Sequence, residues 1–124
     1  MNKNDIFIAL DKYEIDKDEC IIISGASLVV QGIIQSTSDI DIATTSAYYN
    51  SLNWETKIGA MGKEIKCLDC IEISDNLYEP KDVVLINGYK FAKLSYVLKV
   101  KKLLNREKDK KLISILEKMI ENEG

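Results

Sequence analysis

The sequence predicts a single domain over residues 1–124 of the α/β (α+β) class: a mixed sheet of four to five strands flanked by helices, ending in a helical hairpin. Three observations carry that expectation. The apolar run Cys20-Ile21-Ile22-Ile23 ends at Ser24-Gly25 and gives way to Ala26-Ser27-Leu28-Val29-Val30-Gln31-Gly32, a buried strand turning into a short helix. Asn87-Gly88 separates two apolar stretches at 82–86 and 89–91, and Asn-Gly favours the tight hairpin turn with positive φ at both central residues. Near the C-terminus, Leu112, Ile113, Leu116, Met119 and Ile120 recur at helical spacing.

The remaining elements follow in order. Residues 4–13 read as a helix capped by Asn4, with Ile6, Phe7 and Leu10 on one face. Strands are expected at 19–24 and 39–43, joined by a helix at 26–33 and the polar loop Gln35-Ser36-Thr37-Ser38. A short helix over 45–53 opens at Thr44 or Thr45, and the stretch 57–63 reads as loop or irregular strand. Residues 64–73 read as one continuous strand, alternating Ile65, Cys67 and Asp69 against Lys66, Leu68 and Cys70. Helices are expected over 94–104 and 107–121. Without regular alternation of strand and helix, the sheet should be mixed rather than all parallel.

Composition excludes several classes. The chain has 124 residues, 46% of them hydrophobic and 30% charged, with one proline, which describes a folded globular domain rather than a disordered one. No apolar stretch approaches the length of a membrane span, so no membrane association is expected. The N-terminal stretch carries acids throughout and lacks an apolar core with a small-residue cleavage site, so a cytoplasmic protein is expected. Three cysteines do not make a disulfide framework. In a continuous strand, Cys67 and Cys70 would point to opposite faces, and the chain has no histidine to complete a zinc site. Although the net charge is −3, nine of the 17 basic residues fall between Lys90 and Lys111. That basic third could face phosphates or form a solvated helix surface. Sequence-specific DNA binding is disfavoured, because no helix-turn-helix pattern stands out and the pI is about 5.0.

The chemistry centres on Asp39-Ile40-Asp41. On a strand the two aspartates share one face, about 7 Å apart along the backbone. Carboxylates held side by side repel each other unless a proton or cation intervenes. A hard divalent cation with oxygen ligands, Mg²⁺, suits them. Upstream, the Ser24-Gly25 turn presents backbone N–H groups that could cradle an anion. An anion cradle followed by paired carboxylates is what phosphoryl or nucleotidyl transfer from a triphosphate requires.

With these residues in place, the chain resembles the nucleotidyltransferase superfamily, the fold named after DNA polymerase beta. It is most similar to the small bacterial and phage branch that includes nucleotidyltransferase-like toxins of toxin–antitoxin and phage-defence systems. The resemblance rests on Ser24-Gly25, the helix through Gly32, Thr37-Ser38-Asp39-Ile40-Asp41, Asp69 in Leu68-Asp69-Cys70-Ile71, and Lys101, Arg106, Lys108 and Asp109 near the C-terminus. It departs from the branch at Ala26 within the turn, at Gln35 where an arginine is frequent, and at Leu112 where an aspartate is usual.

The resemblance implies a transferase that moves a nucleoside monophosphate from a nucleoside triphosphate to a hydroxyl of RNA, protein or a small molecule. Asp39, Asp41 and Asp69 would hold Mg²⁺ and carry the catalysis, with Glu72 a weaker choice for the third acid. Ser24, Gly25 and Ser27 would hold β- and γ-phosphate oxygens, and Lys101 and Arg106 would add positive charge. Trp54, Tyr48 and Tyr49 could stack on a base or belong to the core. The alternative is a catalytically inactive nucleotidyltransferase-like module that binds a partner, as an antitoxin, a phage accessory protein or an oligomeric scaffold. An exposed hairpin edge is also compatible with a homodimer.

Overall fold

The computed structural model describes residues 1–59, 62–75 and 83–123. Its described elements run α1 (Lys3–Lys12), β1 (Cys20–Ile23), α2 (Ser24–Val30), β2 (Ile40–Thr44), α3 (Ser46–Ser51), β3 (Glu55–Ile58), β4 (Glu64–Leu68), β5 (Ile71–Asp75), β6 (Val83–Ile86), β7 (Tyr89–Ala92), α4 (Leu94–Leu104), a 3₁₀ turn (Glu107–Asp109) and α5 (Lys110–Glu123). The strands form one seven-stranded sheet in the order β3-β4-β5-β2-β1-β7-β6. β1 runs parallel to β7 and β2 parallel to β5, whereas the other neighbours are antiparallel. The α+β class with a mixed sheet therefore holds, and the four to five strands expected become seven.

Two differences account for the larger sheet. Residues 55–58, with 57–58 expected as loop or irregular strand, form the outermost strand β3, every residue of which is exposed. Such a strand has no buried face, so it leaves no alternation to read. The single strand expected over 64–73 is a hairpin. Its chain turns at Asp69, whose φ of 51° lies in the left-handed region that aspartate tolerates, and Cys67 pairs with Glu72 and Leu68 with Ile71. Cys67 and Cys70 thus lie astride a turn, both as free thiols, rather than on opposite faces of one strand.

Other boundaries shift only slightly. Asn2, not Asn4, caps α1, because Asp5 at the third helical position completes a reciprocal capping box with it. Thr45 caps α3 by accepting from the Tyr48 amide. At the β6–β7 turn Asn87 and Gly88 have φ of 53° and 83°, as the Asn-Gly pair predicts. The first residue expected in that hairpin, Asp82, lies outside the described residues.

The sheet is packed on both faces. One face buries Ile22, Ile40, Ile42, Ile71, Ile73 and Phe91 beneath α1 and part of α2, with Phe7 edge-on to Phe91. The other gathers Ile21, Leu28, Ala92, Val97 and Leu116 beneath α4 and α5. Helix α2 contributes to both clusters, so it anchors the connection between β1 and β2. Lys66 crosses to α3 and donates to the carbonyls of Tyr49 at 2.7 Å and Leu52 at 2.6 Å, satisfying the end of that helix.

Phe91 is fully buried at the join between β7 and α1. Phe91→Ala is expected to lower the unfolding free energy by about 3–5 kcal/mol. Urea unfolding followed by circular dichroism measures this, and a loss under about 1 kcal/mol would contradict the packing described.

Candidate functional site

The site begins at the tight junction of β1 and α2. Strand β1 ends at Ile23 and α2 starts at Ser24 with no intervening loop, so Ser24 turns the chain with a left-handed φ of 56°. Gly25 admits the loop that follows α2: a Cβ there would lie 2.7 Å from Thr37 Oγ1. That close approach seats Thr37-Ser38-Asp39 against the Ser24 turn and delivers β2 beside it.

Along β2, Ile40 and Ile42 are fully buried on one face, so Asp41 projects to the other, half-buried. Asp39 precedes it on the same face and is exposed. The parallel register places Ile40 opposite Ile71, Asp41 opposite Glu72 and Ile42 opposite Ile73. Two apolar–acid–apolar triplets therefore lie side by side, with the Asp41 and Glu72 carboxyl groups on neighbouring strands of one face. Burial, then Glu72 and then the charge of Asp39 push Asp41 up to about 7. The Glu72 carboxyl is held below its usual range, first by a hydrogen bond from the Lys57 ammonium. Of the two, Asp41 is therefore the carboxyl that keeps its proton to higher pH.

Behind Asp41 lies a buried cluster from the C-terminal helices. The Lys101 ammonium donates to Ser24 Oγ at 3.5 Å and pairs with Asp109 Oδ1 at 3.5 Å. Arg106 Nε donates to Asp109 Oδ2 at 2.8 Å. Lys101 and Asp109 are buried, and the charge of Lys101 also acts on Asp41. Burial alone would raise Asp109, but Arg106 and Lys101 together outweigh it and hold the carboxyl below its ordinary value. The cavity between Ser24 and Lys101 is about 10 Å³, room for about one water.

The expected residues thus divide. Ser24, Gly25, Asp39, Asp41, Lys101 and Arg106 gather around the β1–α2 turn, and Asp109 joins them as the group that holds Lys101 and Arg106. Asp69 takes a different place. It sits at the tip of the β4–β5 hairpin, accepts a hydrogen bond from the Tyr13 hydroxyl, and borders an open cavity of about 460 Å³ with Trp54, Leu68 and Cys67. The acid that meets Asp41 is Glu72. A turn at Asp69-Cys70 reverses the alternation assumed for a continuous strand, which is why Glu72 faces Asp41. Ser27 also leaves the expected set: its fully buried hydroxyl donates to the Ala92 carbonyl at 2.6 Å and accepts from Gln31 Nε2 at 2.8 Å, tying α2 to β7. Lys108 is exposed and Tyr49 belongs to the core. Sequence reasoning missed Lys57, which reaches Glu72 from the outermost strand. The likeness of Ile71-Glu72-Ile73 to Ile40-Asp41-Ile42 was the available signal for Glu72.

The donor chemistry suits a hard cation, since Asp39, Asp41 and Glu72 offer only oxygens. Among the described residues, however, no three histidine, cysteine or acidic side chains already converge as a metal cage. Asp41 and Glu72 are instead engaged with each other and with Lys57. No helix among the described residues is long and apolar enough to cross a membrane. No protein-family model matches the chain, and no curated protein or solved structure is significantly similar to it.

The raised Asp41 carboxyl links stability to pH in the cation-free protein. Its protonated form is favoured by folding, so its contribution is complete below the ordinary value of 3.8 and lost as pH rises through about 7. Asp41→Asn keeps a donor toward Glu72 without the charge. It is expected to raise the melting temperature by about 5 °C at pH 8 and to change it little at pH 4. Thermal melts at both values decide this, and equal shifts at the two would contradict the raised Asp41 carboxyl.

Proposed function

We propose that this chain is a magnesium-dependent nucleotidyltransferase that moves a nucleoside monophosphate from a nucleoside triphosphate to a hydroxyl of RNA, protein or a small molecule. One observation carries the reading: the β2–β5 register sets Asp41 against Glu72, with Asp39 on the same face, beside the Ser24–Gly25 turn. When bound, the cation would offset triphosphate charge and lower the pKa of the acceptor hydroxyl.

The chain's own groups have separate tasks. Asp39, Asp41 and Glu72 are the oxygen donors, and Asp41 must release its proton before it can serve as one. Ser24 offers a hydroxyl to a phosphate oxygen, and Gly25 keeps that turn free of a side chain. Lys101 supplies buried positive charge, held in place by Asp109. Arg106, partly exposed, brings a second cation to the phosphates from the same anchor.

A second reading, a partner-binding module without catalysis, is favoured by two features. Lys57 and Lys101 already neutralise neighbouring acids, and the space between Ser24 and Lys101 is closed to anything larger than a water.

Incubation with each α-labelled nucleoside triphosphate, Mg²⁺ and total RNA or protein separates the two. The transferase reading expects label in one acceptor class. It also expects Glu72→Gln to reduce incorporation more than about 100-fold, while Asp69→Asn stays within about threefold of wild type. No incorporation with any nucleotide would leave the binding module. Loss at Asp69→Asn with Glu72→Gln active would return the third acid to the hairpin tip.

A further inference from the structure

Lys57 stands out because the proposed chemistry has no use for it. It lies on β3, two strands away from β5, with a side chain 51% exposed, yet its ammonium is bonded to Glu72 Oε1. The charge of Asp39 also acts on it, while its contact is with Glu72. The other lysine near the acids, Lys101, is committed to Asp109 and Ser24 on the inner side. Lys57 therefore supplies the outer positive charge of the group, at the oxygens a divalent cation would need.

We propose that Lys57 is a resident cation of the carboxylate site, a tethered ammonium that holds Glu72 until a divalent ion displaces it. The inference rests on the reading of Asp39, Asp41 and Glu72 as cation ligands. Its physical basis is competition. An ammonium and a divalent ion cannot both occupy the same carboxylate oxygens, and like charges within a few ångströms repel. An exposed lysine on an outermost strand can withdraw into water at small cost, because exposed ion pairs contribute under about 1 kcal/mol. The site is thus kept charge-balanced without metal and stays open to exchange.

The test uses Mn²⁺ as the probe and the full chain without nucleotide, with bound ion read by electron paramagnetic resonance. Lys57→Gln removes the charge from an exposed position, and circular dichroism checks that it is folded. It is expected to bind Mn²⁺ about fivefold more tightly than wild type, whereas Lys57→Arg, which keeps the cation, stays within about twofold. Wild type that binds Mn²⁺ as tightly as Lys57→Gln, or more tightly, overturns this inference and leaves the transferase reading standing. Failure of both proteins to bind at millimolar Mn²⁺ removes the metal reading itself, and this inference with it.

Discussion

The parallel pairing of β2 with β5 is the constraint on which the rest of the site depends. It is fixed by hydrophobic burial: Ile40, Ile42, Ile71 and Ile73 are all fully buried on one face, and a slip of β5 by one residue would turn Ile71 and Ile73 outward. The cost of that slip far exceeds the repulsion between two carboxylates. The core therefore dictates that Asp41 and Glu72 face each other, and electrostatics must adapt. It does so by raising the Asp41 carboxyl and by bringing Lys57 to Glu72.

The same logic explains the buried charges on the inner side. Lys101 and Asp109 sit between α4, α5 and the β1–α2 turn, where an unpaired charge would be costly. Each is satisfied by the other, with Arg106 and Ser24 completing the set. A hydrophobic pair would hold two helices together as well. The retained ions instead leave positive charge within reach of Asp41, which is the feature a triphosphate site would need.

Much of this was legible before any coordinates. The Asn87-Gly88 turn, helix α4 and the strand-to-helix junction at Ser24 follow from local chemistry, because each is decided by residues adjacent in the chain. Which acid faces Asp41 was not decided locally. Whether Asp69 or Glu72 meets Asp41 depends on a turn that aspartate tolerates but does not require, and on a pairing between segments about thirty residues apart. Ser27 was misleading for a related reason: a hydroxyl near a glycine turn suits a phosphate equally well as a neighbouring strand's carbonyl. Lys57 was invisible because β3 carries no buried face to betray it.

That outermost strand has one more consequence. Its row of backbone donors and acceptors lies along the rim of the described sheet, where a strand from another chain could pair and seed aggregation. Glu55 and Lys57 put opposite charges on this rim, and both are exposed. A strand approaching there would have to strip water from those charges, so the residues that leave β3 unburied also act as gatekeepers for the colloidal behaviour of the whole chain.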